Sequence, residues 1–269
     1  GLARPAEIAP ILRGKCAPLS ADGGYRHLIA TYRTNEFIKA YVDGKALPRY
    51  SQAGPVTPDH VIRTKPKPLI VPPPEAAKLN LWTEEVEKRL ASYQTEYRAY
   101  FGRHNKRLEE PKIALDPMPR VVLVRGLGLF GFGDSIGAAS IAADLAENTI
   151  SVVSASEQLG KFESISESDV FDVEYWSLEQ AKLGRDTALL LAGQVVAITG
   201  GAGAIGSATA TAFRVKGAEV ALLDVDCGEV MKAASRVGGL GLCCDVTKCD
   251  QVETAFEHIC ERYGGLDIL

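Results

Sequence analysis

The clearest pattern of hydrophobic and polar positions along the chain lies between residues 194 and 226. Two short apolar runs, QVVAIT and AEVALLD, have the length and composition of buried strands, and the stretch between them alternates as an amphipathic helix does. A run of glycines separates the first apolar run from the helical stretch. The order strand, turn, helix and strand predicts one βαβ unit.

The residues after this unit continue the alternation of strand and helix. GLGLCCDVTK predicts a third strand that ends at Cys244, Asp245 and Val246, DQVETAFEHICERYG predicts a helix, and LDIL predicts the start of a fourth strand. This alternation is typical of a doubly wound parallel sheet. We therefore expect the first half of a Rossmann sheet in residues 187–269, truncated in its fourth strand.

Residues 1–186 carry a second α/β pattern. RHLIATY predicts a strand, and NEFIKAYVDG predicts a short helix that ends near Gly44 and has Phe37, Ile38 and Tyr41 on one face. The proline-rich residues 46–74 predict loops and edge strands, with HVIRT and PLIV as short extended pieces.

A long helix is predicted after Thr83, a candidate N-cap, because apolar and aromatic residues recur there at three- and four-residue spacing. Those residues are Val86, Leu90, Tyr93, Tyr97 and Phe101. The stripe that they form indicates core packing rather than a ligand site.

RVVLVRGLGLFGFG predicts two strands joined by a glycine turn. Its glycines alternate with Leu and Phe, and the Lys-Ser/Thr pair of a phosphate loop does not follow, so a hairpin is expected. Asp134 can cap an alanine-rich helix that runs to about Val153. A further helical segment containing Leu183 follows, and then DTALLLAGQ, which we interpret as a linker. We therefore expect a domain boundary near residues 186–193.

Composition and charge narrow the classes of function. A net charge of −4 with scattered Lys and Arg argues against nucleic acid as a partner, and every apolar run is too short to cross a membrane. The six cysteines form no C-x-x-C pair, so we expect reduced packing residues in a cytoplasmic protein. The four histidines are too far apart in sequence to predict a metal site, and metal ligands are expected to be absent.

The glycine turn has the chemistry of a dinucleotide site. Gly201, Gly203 and Gly206 spell G-x-G-x-x-G, and Asp224 ends the second strand 18 residues after Gly206. Glycines allow the backbone to approach a pyrophosphate at the start of the helix. An aspartate at the position of Asp224 can accept both hydroxyls of the adenosine ribose and repels a 2′-phosphate, which favours NAD over NADP.

Asp245 follows the third strand, where the carboxyl edge of a doubly wound sheet would face the adenine. A plain helix-preceding cap is the alternative role for this residue.

Several segments resemble known families. ITGGAGAIG, LLDVD, CDVT and YGGLDIL resemble the opening half of a short-chain dehydrogenase/reductase, whose signature is T-G-x-x-x-G-x-G. Thr199, Gly200 and Gly206 match that signature, and Ala204 replaces its middle glycine. The resemblance implies NAD as cofactor, and the expected cofactor-binding residues are Thr199, Gly200, Gly203, Ile205, Gly206, Asp224, Asp245 and Val246.

The upstream segments TPDHVIRTKPKPLIV, EYRAYF, PRVVLVRGLGLFGFG and FDVEYWSLEQAKL resemble the linking half of bifunctional rhamnulose-1-phosphate aldolase/short-chain dehydrogenase proteins. This implies a class II aldolase-like α/β unit in residues 1–186 and an NAD-binding dehydrogenase domain in residues 187–269. The implied activity is cleavage of rhamnulose 1-phosphate to dihydroxyacetone phosphate and lactaldehyde, with NAD-dependent redox of the lactaldehyde.

The same resemblance places the zinc histidines and the dehydrogenase catalytic residues outside this chain. Both ends of the chain look cut, so we expect an internal fragment that contains no catalytic residues and is inactive by itself. The expected partners are sugar-phosphate and aldehyde substrates and further copies of the protein in a homo-oligomer.

Two alternatives remain open. The full protein could be a polyol or sugar-alcohol dehydrogenase with an unrelated N-terminal extension, or residues 1–186 could serve only in assembly.

Tyr41 and Lys45 have the Tyr-x-x-x-Lys spacing of a proton donor, but Gly44 interrupts the helix that such a pair needs. His60 has no second ligand beside it, so we expect it to be exposed or hydrogen-bonded.

Overall fold

The computed structural model describes residues 1–20, 23–181 and 189–269. Contacts divide the chain into two compact units. Unit 1 contains Gly1–Ala3, Arg33–Phe132 and Ser140–Asp186, and unit 2 contains Arg4–Tyr32, Gly133–Ala139 and Thr187–Leu269. Leu183 and part of the predicted boundary at 186–193 lie outside the described residues.

The helices and strands follow one another in mixed order along the described chain. The helices are α1 (Pro5–Lys15), α2 (Glu36–Val42), α3 (Leu47–Tyr50), α4 (Val61–Thr64), α5 (Leu79–Asn105), α6 (Ile136–Leu159), α7 (Glu167–Glu174), α8 (Ser177–Ala181), α9 (Ala204–Val215), α10 (Cys227–Val237) and α11 (Cys249–Tyr263). The strands are β1 (Ile29–Arg33), β2 (Leu69–Val71), β3 (Val121–Val124), β4 (Gly128–Gly133), β5 (Val195–Thr199), β6 (Glu219–Asp224) and β7 (Leu240–Cys243). Short 3-10 turns cover Pro58–His60 and Ala76–Lys78.

Unit 1 is built around a sheet in which β4, β3 and β2 lie side by side. β3 and β4 form an antiparallel pair with Val122 opposite Phe130, which confirms the hairpin predicted from the alternating glycines. β2 pairs with β3 in parallel, so PLIV is a strand as expected. Side chains of β3 and β4 pack with residues of α2 and α6, such as Ile38 and Ile150, into a buried core.

Three local predictions in unit 1 are wrong. HVIRT is not extended, because a 3-10 turn with Pro58 at its start leads directly into α4, where Val61 and Ile62 are buried. Phe37 is 49% exposed, so the buried face of α2 consists of Ile38, Tyr41 and Val42. α5 starts before Thr83, whose hydroxyl donates to the carbonyl of Leu79 instead of capping the helix.

The caps and ends of the two long helices also differ from expectation. The hydroxyl of Ser135, not the carboxylate of Asp134, accepts the hydrogen bond from the Ala138 N–H, and α6 runs past Val153 to Leu159. The buried residues of α5 include Tyr97 and Tyr100, while Phe101 and Tyr93 are only half-buried. Tyr100 thus joins the buried side of α5, although the predicted stripe did not include it.

Unit 2 contains the predicted parallel sheet in the order β5-β6-β7. An isolated parallel bridge joins Val196 to Ile268, which places LDIL on the other side of β5. In β6, Val220 and Leu222 pack with the residues of α9 and α10, whereas Ala221 and Leu223 pack with those of α11. Helices therefore cover both faces of the sheet, and the α/β, doubly wound fold class is confirmed.

Helix α10 was not predicted from the sequence. Asp226 caps it by accepting a hydrogen bond from the Glu229 N–H at 3.0 Å, and Val230, Ala233 and Ala234 form its buried side. The three- and four-residue spacing of those apolar residues was the available signal.

Helix α1 also belongs to unit 2, where it packs on α11. The guanidinium of Arg13, which is buried, donates to the carbonyl of Gly193 at 2.8 Å and pairs with Asp267 at 2.5 Å. Contacts thus place residues 4–32 in unit 2. The domain boundary between residues 186 and 187 stays a prediction that rests on the sequence alone.

The cysteine prediction is wrong for two of the six residues. Cys227, at the start of α10, forms a disulfide with Cys243, at the end of β7. The α-carbons of this pair are 4.6 Å apart because α10 returns the chain to the neighbouring strand. The other four cysteines carry thiols, and Cys16 and Cys244 are buried.

Candidate functional site

The predicted glycine turn connects β5 to α9 at the carboxyl edge of the sheet in unit 2. Gly200 has a φ of +64°, a left-handed conformation that favours glycine, and Gly203 occupies the N-cap position of α9. A β-carbon on Gly206 would overlap the carbonyl oxygen of Gly200 and lie 2.8 Å from the α-carbon of Gly201. Only glycine at position 206 allows the first turn of α9 to pack this closely on the loop.

The start of α9 is open to a ligand. Gly203, Ala204 and Ile205 are exposed, and the side chain of Ile205 is 86% exposed. Glycine cannot cap a helix with a side chain, and the first N–H groups of an α-helix lack partners within the helix. Those N–H groups and the positive end of the helix dipole make this terminus suited to a phosphate group.

Asp224 ties the end of β6 to the glycine turn. Its Oδ2 accepts a hydrogen bond from the Ala202 N–H at 3.0 Å, and its Oδ1 accepts one from the Asp226 N–H at 3.2 Å. A carboxylate has about four lone-pair sites, so each oxygen keeps capacity for another donor. The negative charge therefore lies beside the turn, where a ribose hydroxyl could donate to it.

Asp245 stabilises the loop after β7. Its Oδ1 accepts hydrogen bonds from the hydroxyl and the N–H of Thr247, at 2.7 and 3.0 Å. These two bonds lower the pKa of Asp245 below its ordinary value. The carboxylate thus has a local structural role close to the alternative considered from the sequence, and a contact with adenine stays a prediction for this residue.

The structure brings together the residues predicted from the turn and the strand ends. Asp224 pairs in register with Cys243, and the Cys244 N–H donates to the carbonyl of Asp224 at 2.8 Å, so the β6 and β7 ends are neighbours. Val246, beyond that edge, is 56% exposed. Sequence reasoning missed the Ala202 contact and the disulfide beside Asp224, which depends on the unpredicted helix α10.

Tyr263, the tyrosine of the dehydrogenase segment, and Tyr41, the candidate from the sequence, both occupy structural positions. The hydroxyl of Tyr263 donates to the carbonyl of Val220, and Asp267, four residues later, accepts hydrogen bonds from Arg13 and from the Val195 N–H. Tyr41 is buried against the ring of Tyr50, and this burial raises its pKa. Among the described residues, no lysine hydrogen-bonds to either hydroxyl, as a dehydrogenase proton donor needs.

His60 departs from its prediction, because it is half-buried and its Nδ1 has no partner among the described residues. Over the described ranges, no three His, Cys, Asp or Glu side chains form a group that could hold a metal ion. None of the described helices combines the length and apolar character that crossing a bilayer requires.

Comparison with protein families assigns both parts of the chain. The family described as "Aldolase class II, second domain" matches residues 3–183. The chain belongs to this family. A second family, short chain dehydrogenase, matches residues 194–269, which contain the glycine turn and Asp224. The chain thus carries a short-chain dehydrogenase domain after its aldolase-family domain.

Individual relatives include oxidoreductases. The chain is 30% identical over 273 residues to the oxidoreductase YuxG of Bacillus subtilis, an alignment that covers 98% of this chain and 38% of YuxG. It is 33% identical over 93 residues to D-threitol dehydrogenase of Mycolicibacterium smegmatis, covering 33% of this chain and 36% of that enzyme. The chain thus spans well under half the length of either relative.

Among solved structures, 3-ketoacyl-(acyl-carrier-protein) reductase from Brucella melitensis, complexed with NADH, shares 30% sequence identity with this chain. The match has a TM-score of 0.29 and covers 29% of this chain and 34% of the reductase.

Proposed function

We propose that the short-chain dehydrogenase domain binds NAD at the glycine turn. The pyrophosphate would lie against Gly200, Gly203 and the start of α9, with Thr199, Ile205 and Gly206 around it. The carboxylate of Asp224 would accept the ribose hydroxyls, and Asp245 and Val246 would border the adenine. When bound, NAD supplies hydride transfer.

The observation that carries this proposal is the packing of Gly206 on the carbonyl of Gly200 beside the Asp224 carboxylate. The close packing leaves exposed backbone at the start of α9 where a pyrophosphate fits, and the carboxylate lies at the end of the adjacent strand. This combination fits an adenosine ribose better than a 2′-phosphate, because a second negative charge would meet Asp224.

For the whole protein, we propose aldol cleavage of rhamnulose 1-phosphate to dihydroxyacetone phosphate and lactaldehyde, with NAD-dependent redox of lactaldehyde. The presence of an aldolase domain followed by a dehydrogenase domain supports this pair of activities. The zinc and both sets of catalytic residues would come from outside this chain. We further propose a cytoplasmic homo-oligomer, although disulfides such as Cys227–Cys243 are rare in that compartment.

A polyol dehydrogenase is the second candidate function. The similarity of the dehydrogenase domain to D-threitol dehydrogenase favours it. In that case residues 1–186 would be a non-catalytic extension or an assembly module. Finding an H-x-H zinc motif in the gene upstream of residue 1 would support the aldolase, and its absence would favour the polyol enzyme.

The Asp224→Asn variant tests the proposed NAD site. We expect NAD affinity of the full-length protein to fall by about tenfold and its preference over NADP to disappear, because the variant loses the charge that holds ribose hydroxyls and repels a 2′-phosphate. Asp226→Asn is the matched control, since asparagine still caps α10. Equal affinity of the wild-type protein for NAD and NADP, or an unchanged preference in Asp224→Asn, would contradict the assignment.

The isolated chain of 269 residues is expected to be catalytically silent. Carbonyl reduction needs a proton donor beside the substrate, and Tyr263 is buried and bonded to backbone. We expect no lactaldehyde-dependent change in NADH absorbance and no cleavage of rhamnulose 1-phosphate in the presence of zinc. Turnover that Tyr41→Phe or His60→Ala abolishes would overturn this expectation.

A further inference from the structure

A half-open cavity of about 270 Å³ lies within unit 1. Helix α5 forms one wall with Tyr93, Tyr97 and Tyr100, whose spacing of four and three residues places them on one face of the helix. The loops at 52–55 and 66–67 and the first residues of α7 form the rest. The volume is just below the usual range for drug-sized ligands, so a small molecule fits it.

The walls of this cavity are held in place by hydrogen bonds. The hydroxyl of Tyr93 donates to the carbonyl of Lys67 at 3.0 Å, and the amide of Gln52 donates to the carbonyl of Pro68, also at 3.0 Å. The hydroxyl of Ser164 donates to the carbonyl of Pro55 at 2.6 Å. A preformed site loses less conformational freedom on binding, which favours affinity for a small ligand.

A buried polar network fixes the two deeper tyrosine rings. The hydroxyls of Tyr97 and Tyr100 donate to the two oxygens of Glu174 at 2.8 and 3.0 Å, and Lys65 Nζ donates to the Tyr97 hydroxyl at 2.9 Å. Lys65 is 5% exposed and Glu174 is fully buried. These residues come from three of the upstream segments singled out in the sequence, namely TPDHVIRTKPKPLIV, EYRAYF and FDVEYWSLEQAKL.

The network is energetically expensive for a purely structural device. A buried ion pair contributes little net stability compared with apolar packing, because both charges lose their water. Lys65 also has a φ of +66°, which is strained for a residue with a side chain, and such strain concentrates at functional sites. We interpret the network as a device that holds Tyr97 and Tyr100 rigidly at the cavity wall, which would serve ligand binding.

The lining favours an uncharged ligand that carries both donors and acceptors. Lys67 and Arg103 face Glu96 and Glu167 around the cavity, and Arg103 is already paired with Glu167 at 2.8 Å. The positive charges are thus balanced, and a phosphate group would gain little. Hydroxyl groups can donate to the carboxylates and accept from Lys67, while the tyrosine rings cover the apolar face of the ligand.

We propose that this cavity binds an uncharged polyhydroxy compound of monosaccharide size, a sugar or a polyol. With such a site, the aldolase-family domain would bind a ligand through residues of this chain. It is independent of the NAD site proposed above, because every lining residue belongs to unit 1.

Calorimetric titration of the full chain with D-ribose, D-ribose 5-phosphate and erythritol tests the proposal. We expect D-ribose or erythritol to bind and D-ribose 5-phosphate to bind no more tightly than D-ribose. Absence of binding by both uncharged probes overturns the proposal. Tighter binding of the phosphate ester also overturns it and identifies an anion site.

Ala99→Trp locates the binding to the cavity. Ala99 is an exposed cavity residue on α5, so tryptophan there would occupy the cavity without disturbing the core, and we expect affinity to fall at least about tenfold. Ala91→Trp on the exposed side of the same helix is the control and should leave affinity unchanged. If Ala99→Trp does not fold, Tyr93→Ala should lose binding, while Tyr93→Phe, which keeps the ring but loses the hydrogen bond to Lys67, should bind more tightly than Tyr93→Ala. Equal affinities across either set would place the binding elsewhere and overturn the proposal.

Discussion

Replacing Gly206 by alanine is expected to abolish NAD binding by the full-length protein. The new β-carbon would overlap the carbonyl oxygen of Gly200 and lie 3.0 Å from its carbonyl carbon, and both atoms belong to the backbone. The loop would have to move away from α9, so the N–H groups that face a pyrophosphate would lose their common position. We expect a loss of affinity of more than about tenfold by calorimetric titration.

Gly228→Ala is the matched control for this experiment. Gly228 lies in the first turn of α10, and a β-carbon there would meet only Asp226 Oδ1, at an ordinary 3.5 Å. Alanine is also the better helix former, so folding should be preserved or improved. NAD affinity that is unchanged in Gly206→Ala while circular dichroism shows a folded protein would exclude the glycine turn as the pyrophosphate site.

The sequence was most informative where neighbouring residues determine the structure. The β5–α9–β6 unit could be predicted because apolar runs, a glycine turn and an amphipathic helix follow one another without interruption. Asp224 could be placed at the sheet edge because it directly ends an apolar run. The hairpin of β3 and β4 was equally predictable, since its glycines alternate with large apolar residues.

The rest depends on contacts between distant residues or on weak local signals. The short apolar stripe of α10 contains two alanines and one valine, which bury little surface, and its signal was missed. Without α10, the pairing of Cys227 with Cys243 had no structural reason. Glu174 and Lys65 are more than a hundred residues apart in sequence but lie close together in the structure. Local periodicity in the sequence cannot predict such a long-range pair.

Glu174→Gln is expected to destabilise unit 1 by about 3–5 kcal/mol, because it leaves the buried Lys65 ammonium without its counter-charge. Lys65 Nζ lies 3.9 Å from Glu174 Oε1 and is 4% exposed as a side chain, so water cannot compensate. Both tryptophans of the chain, Trp82 and Trp176, belong to unit 1. Urea unfolding followed by tryptophan fluorescence therefore reports on this unit.

Two further variants separate the loss of the ion pair from a general effect of substitution. Glu84→Gln changes an exposed glutamate of α5 and should alter the free energy of unfolding by less than about 0.5 kcal/mol. Adding Lys65→Met to Glu174→Gln removes the unpaired cation, so the double variant should recover part of the lost stability and show a coupling energy in a double-mutant cycle. A loss below about 1 kcal/mol in Glu174→Gln, with no coupling to Lys65, would mean that the ammonium reaches water. Tyr97 would then lack its rigid support, and the cavity wall would not be preformed.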